Sequence, residues 1–139
     1  MIKGFDHVAI PMLAVDAMLA FYRGMGFDVT DDYGGRVYSV HCGDNKINLH
    51  TPEIWQSGKF SLRGHTAQPG CGDFCFVWDG SAQALQATLD KLNATIEEGP
   101  VERKGGRNNG QDVGISVYTR DPDDNLLEFI IYPDPGSPD

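Results

Sequence analysis

The chain has 139 residues, of which 40% are hydrophobic and 22% charged, and it carries a formal net charge of −9. That length suits one domain with a core of its own, needing no staples, and the acidic balance excludes a nucleic-acid partner, whose phosphates require clustered cations. No apolar run approaches the roughly 20 residues of a membrane helix, and the opening MIKGFDHVAI lacks the apolar core and cleavage site of a signal peptide. The expectation is a cytoplasmic protein with no membrane partner.

The first half reads β, α, β, β, β. Residues 5–10 (FDHVAI) form a strand. Residues 14–24 are helical, with Val15, Met18, Leu19 and Tyr22 on one face, and Gly24 and Gly26 end the helix. Strands follow at 27–31, 36–42 and 46–51, with turns at Tyr33-Gly34-Gly35 and Gly43-Asp44-Asn45. Residues 52–71, rich in Gly and Pro, form a long connection of the kind that is usually either functional or disordered.

The second half repeats the order. A strand at 73–79 precedes a helix at 81–93 with Leu85, Leu89 and Leu92 on one face. A strand at 95–101, a polar glycine-rich loop at 103–112, a strand at 113–120, a turn at 121–125 and a last strand at 126–132 complete it. The tail PDPGSPD is expected to fray. The fold class is therefore α+β: two βαβββ modules, about 1–52 and 72–133, joined by a linker at about 53–71 in one domain, their strands forming a curved mixed sheet around a cleft.

Cys42, Cys71 and Cys75 make an odd count without framework spacing, which fits a reducing compartment. Cys71 and Cys75, four apart in extended chain, lie about 13 Å apart at ~3.3 Å per residue, too far for a disulfide. They are expected to be small apolar fillers.

Four polar residues occupy the first and last strands of the two modules: His7, His50, Asp73 and Glu128. Each alone has a plain structural reading, as a core histidine, a strand-end histidine, a strand-start turn residue and an edge-strand glutamate. Together their matched places suggest a site. A glutamate within LLEFIIY is unfavourable unless paired or bound to a cation. Two imidazoles and two carboxylates suit Zn²⁺, Ni²⁺, Mn²⁺ or Fe²⁺, with positions left for two substrate oxygens. Arg103, Lys104 and Arg107 give the glycine-rich loop positive charge, either as a solvated loop or as a clamp for an anionic group. Arg36, Tyr38, Trp55, Trp78 and Tyr118 are candidate pocket residues, although cores use the same types. His41 and His65 read as structural or solvated.

FDHVAIPMLAVDAMLAFYRGMGFDV resembles the opening of the vicinal oxygen chelate superfamily, which includes glyoxalase I, bleomycin-resistance proteins and extradiol dioxygenases. GDNKINLH and TRDPDDNLLEFIIY resemble the ends of its two modules, and IEEGPVERKGG is similar to small glyoxalase-domain proteins of uncharacterised activity. The resemblance spans almost the whole chain. It implies four metal positions, with His7 and Glu128 at the first and last. His50 falls where glyoxalase I has a glutamate, and Asp73 where it has a histidine. The implied function is a metal-dependent lyase or isomerase in which the ion binds adjacent substrate oxygens and Glu128 or Asp73 moves the proton, with Arg103, Lys104, Arg107, Tyr118 and Trp78 around the substrate. The alternatives are a non-haem iron ring-cleaving dioxygenase and a metal-free, ligand-sequestering protein. A homodimer is expected, because open sheet edges favour association.

Overall fold

A computed structural model describes residues 1–133 of the chain, so most of the tail expected to fray lies outside the described residues. The elements are β1 (His7–Pro11), α1 (Val15–Met25), β2 (Asp28–Asp31), β3 (Val37–Cys42), β4 (Asn45–His50), α2 (Pro52–Trp55), β5 (Asp73–Val77), α3 (Ala82–Lys91), β6 (Glu98–Lys104), α4 (Arg107–Gly110), β7 (Val113–Arg120) and β8 (Leu126–Ile131). The βαβββ order thus occurs twice, and each module closes its own four-stranded mixed sheet. The strand orders are β1-β4-β3-β2 and β5-β8-β7-β6. In each the first strand runs parallel to the last and the remaining pairs are antiparallel.

The chain divides into two compact units. In the first, residues 1–72 with 122–125, α1 buries Met18, Leu19, Phe21, Tyr22 and Met25, and the sheet buries Ile10, Val40, Ile47 and Leu49. Burying each such side chain contributes about 1.5–3 kcal/mol. Gly24 lies inside α1 instead of ending it. The stop is Gly26, at φ 102°, where the Gly26 and Phe27 N–H groups turn back onto the carbonyls of Arg23 and Tyr22. The linker is not structureless: Pro52–Trp55 form one helical turn, and the Trp55 Nε1–H donates to the Met12 carbonyl at 2.9 Å.

The other end of α1 has no cap of its own, since Ala14 offers no side-chain oxygen. The first free N–H groups are met by Asp123 from the 121–125 turn. Its carboxylate accepts from Leu13 N–H at 2.7 Å and from Ala14 N–H at 2.9 Å, placing a negative charge at the positive end of the helix. In the same turn the fully buried Asn125 accepts from the Gly72 N–H at 2.8 Å. A Cβ on Gly70 would lie 2.8 Å from the Asp123 carbonyl, so the backbones pass too closely for a side chain there.

The second unit, residues 73–121 and those from Leu126, packs α3 through Leu85 and Leu89, with Phe76, Leu127 and Phe129 buried in the sheet. Ser81 caps α3 by accepting from Ala84 N–H at 3.0 Å. The strand expected at 95–101 is displaced to Glu98–Lys104. The reason is its partner: after an irregularity between Glu98 and Val101, the residues Val101–Lys104 pair with Ser116–Val113. Arg103 and Lys104, expected in a loop, are therefore strand residues.

Replacing Asp123 by Ala leaves the Leu13 and Ala14 N–H groups without their acceptor. We expect a loss of about 1–3 kcal/mol, the usual range for hydrogen bonds to a charged group and for helix caps. Chemical denaturation followed by circular dichroism reads it, and an unchanged midpoint would rule the cap out.

Candidate functional site

Residues paired across a ladder share a sheet face. In the first module His7 is opposite Lys46, Ala9 opposite Asn48, and Pro11 opposite His50. His7, Ala9, Asn48 and His50 accordingly line one pocket of about 490 Å³ with Tyr33, Arg36, Val37, Ile54, Phe60 and Leu62. The strands thus supply the donors and the linker an apolar wall.

The two imidazoles differ in setting. His7 is exposed, and its Nδ1 lies 2.6 Å from an Asp6 carboxylate oxygen. An ionised carboxylate only accepts, so Nδ1 carries the hydrogen, and in the neutral ring the Nε2 lone pair is left available. His50 is buried, with Phe60 edge-on to its ring at 5.4 Å. Burial, and secondarily the nearby Arg63 charge, hold its pKa below the ordinary value, so it is a neutral imidazole at pH 7, as a metal donor must be.

In the second module Cys75, Glu128 and Tyr118 stand opposite one another on adjacent strands. The half-buried Glu128 carboxylate accepts from the Ser116 hydroxyl at 2.6 Å, and the Tyr118 hydroxyl and Cys75 thiol also hydrogen-bond to it. Burial, with the negative charge of Glu128, pushes the Cys75 thiol up to about 12, so it stays protonated. Arg103 supports this group from behind: its Nε donates to the Tyr118 hydroxyl at 3.0 Å and its guanidinium lies over the Tyr118 ring. Asp73 is exposed, opposite Leu126 and two residues before Cys75, on the same face.

The other expected residues fall elsewhere. Trp78 donates to the Ser81 carbonyl at 3.1 Å and packs edge-on against Phe129, on the sheet face opposite Glu128. Arg107 is ion-paired to Asp112 at 2.7 Å and stacked over Tyr132. Lys104 is exposed at the end of β6. His41 is structural, bonded through Nε2 to the Thr30 hydroxyl at 2.8 Å. Cys71 is exposed, and Cys75 is exposed as a residue although its thiol is partly desolvated beside Glu128, which corrects the expectation of small apolar fillers; all three thiols are free. Among the described residues no three His, Cys, Asp or Glu side chains are gathered closely enough to enclose an ion.

The ladders also expose a residue that the sequence reading passed over. Glu128 sits opposite Cys75, two residues after Asp73. The same step in the first module, two residues after His7, arrives at Ala9, whose partner is Asn48. Asn48 is thus the register counterpart of Glu128, while His50 lies two pairs further on. The signal was present: Asn48 follows the turn residue Asn45 by three, as Glu128 follows Asn125. The Asn48 side-chain oxygen accepts from the buried Ser39 hydroxyl at 3.3 Å.

Residues 4–129 match the model of the Glyoxalase/Bleomycin resistance protein/Dioxygenase superfamily. The chain belongs to that superfamily. Among its members, the glyoxalase domain-containing protein RDO1 of Mycosarcoma maydis is 36% identical over 136 residues, covering 96% of this chain and 70% of RDO1. The crystal structure of virulence protein STM3117 from Salmonella typhimurium superimposes with a TM-score of 0.80 at 28% identity, covering 96% of this chain and 99% of that one. Lactoylglutathione lyase from Agrobacterium tumefaciens, at 23% identity and a TM-score of 0.68 over 94% of this chain and 95% of that one, shares the superfamily fold.

The depressed pKa of His50 makes the stability of the fold depend on pH. Below its ordinary value of about 6.5, the unfolded chain binds a proton that the folded chain refuses. Stability is therefore fully present above that pH and lost as pH falls toward the folded pKa. Unfolding free energies at pH 7.5 and 5.5 should fall more for the wild type than for His50→Gln; parallel profiles would contradict a buried neutral ring.

Proposed function

We propose that the chain is a divalent-metal-dependent enzyme of the glyoxalase type, a lyase or isomerase whose small substrate presents two adjacent oxygens to the ion. The observation that carries this reading is the Asp6–His7 pair. A carboxylate on Nδ1 fixes the tautomer and directs Nε2 outward, the arrangement that metal-ligating histidines use. His50, neutral at working pH, offers a second imidazole on the same face, and Glu128 offers a carboxylate oxygen. Asp73, exposed on the Glu128 face, is the fourth donor in this proposal. The set suits zinc, nickel, manganese or iron. When bound, such an ion acts as a Lewis acid that lowers the cost of removing a proton next to a carbonyl.

The protein's own groups supply the rest. Glu128 is the base that accepts the proton on a carboxylate oxygen. Ser116 and Tyr118 hold that carboxylate in one orientation, so little reorganisation is needed at the moment of transfer. Arg103 fixes the Tyr118 hydroxyl in turn. The active protein is proposed to be a homodimer, which sedimentation reads directly.

Elemental analysis and calorimetric titration with each ion provide the test. Wild type should take up one divalent ion per chain. His7→Ala and Glu128→Ala should abolish tight uptake, and Asp6→Asn should weaken it by about 10–100-fold, the usual effect of losing a supporting partner. Asp73→Ala decides the fourth position. Wild type that takes up no ion would remove the metal-enzyme reading, and no isomerisation of the methylglyoxal–glutathione adduct with any ion would remove the glyoxalase assignment within it.

A further inference from the structure

We infer that the first-module pocket binds a carboxylate with an apolar, aromatic or branched body, Arg36 pairing with the carboxylate and the linker residues Ile54, Phe60 and Leu62 enclosing the body. As a statement about substrate this rests on the enzyme reading above; as a statement about a ligand site it stands by itself.

The argument begins with charge. The chain carries −9 overall, yet the ten residues lining this pocket include no Asp or Glu and one guanidinium, that of Arg36. Arg36 uses one donor, Nε, on the Tyr33 carbonyl at 3.3 Å, and has no ion pair among the described residues. Its terminal nitrogens are the donors that make bidentate pairs with carboxylates. Arg107 and Arg120 are ion-paired to Asp112 and Glu97; Arg36 is set apart by lining a pocket that holds no carboxylate, where an anion brought from outside is its available partner.

Placement comes next. The Arg36 carbonyl accepts both the Thr51 N–H at 3.1 Å and the Thr51 hydroxyl at 2.8 Å, and the following residue, Val37, pairs with His50. The backbone under the guanidinium is therefore fixed beside the imidazole. Arg36 is the one guanidinium in the lining, with the Arg63 charge acting on His50 beside it, and a planar guanidinium fork matches the two oxygens of a carboxylate. The body is specified by the wall. Leu62 is 82% exposed and Tyr33 56%, apolar surface that an occupant would remove from water at about 25 cal/mol per Å². A volume of about 490 Å³ lies within the ordinary range for small-molecule sites.

The test uses the full chain stripped of metal with chelator, and three probes: 4-phenylbutyrate, its neutral analogue 4-phenylbutanamide, and inorganic phosphate, titrated by calorimetry. The butyrate should bind at least tenfold more tightly than the amide or phosphate. Arg36→Gln should erase that preference, and Phe60→Ala should weaken acid and amide alike by fivefold or more. Equal affinity for acid and amide, tighter binding of phosphate, no binding of any probe, or undiminished acid binding by Arg36→Gln would each overturn the inference. Protein that binds the acid in this way but takes up no metal keeps the ligand site and loses the enzyme reading, so the two failures are distinguishable.

Discussion

The parallel pairing of β1 with β4, repeated as β5 with β8, decides where every candidate donor points. In a ladder, residues opposite one another share a face and their neighbours take the other. One-residue slippage of β4 against β1 would send Asn48 and His50 to the face where Ile47 and Leu49 are buried. Burying those two residues stabilises the register by several kcal/mol, so the hydrophobic core fixes the chemistry. The polar residues contribute little to choosing their own positions; they occupy the alternate sites that the core leaves open.

The segment DPDDN shows how one stretch serves two purposes. Between β7 and β8 it is a turn, as its composition suggests. Its side chains also do what α1 cannot do for itself, because Ala14 offers nothing to the helix N-terminus and Asp123 does. Asn125 meanwhile satisfies the Gly72 N–H just before β5 begins. A buried amide without an acceptor costs about 1–3 kcal/mol, so these contacts explain why Asp and Asn, and not merely turn-compatible residues, stand there.

Much of the fold was legible in the sequence because alternating and 3.6-fold periods are local signals. The repeated βαβββ order, the α1 face at Met18, Leu19 and Tyr22, and β7 can all be read directly. The less legible parts depend on partners distant in the chain. β6 lies at 98–104 because Val113–Ser116 pair with it, not because its own residues alternate. Arg107 carries the same charge as Arg103, but only the structure shows one consumed by Asp112 and the other supporting Tyr118. His50 stands out by residue type and Asn48 only by position: counting three residues from each turn asparagine arrives at Asn48 and Glu128.

The register counterparts show how two modules of one design come to offer different chemistry. At the pair holding Ala9 and Asn48 in the first module, the second holds Cys75 and Glu128; opposite His7 stands Lys46, and opposite Asp73 stands Leu126. The first face is thereby left with imidazoles, an amide and a nearby guanidinium, all suited to donate to or coordinate oxygen. The second receives a carboxylate surrounded by hydroxyl and thiol hydrogens that hold it in place. Changing a few outward-facing residues costs the core nothing, because the alternate positions that carry Ile47, Leu49, Leu127 and Phe129 stay apolar in both modules. A duplicated sheet can therefore present imidazoles and an amide on one module and a held carboxylate on the other without altering the packing that holds either sheet together.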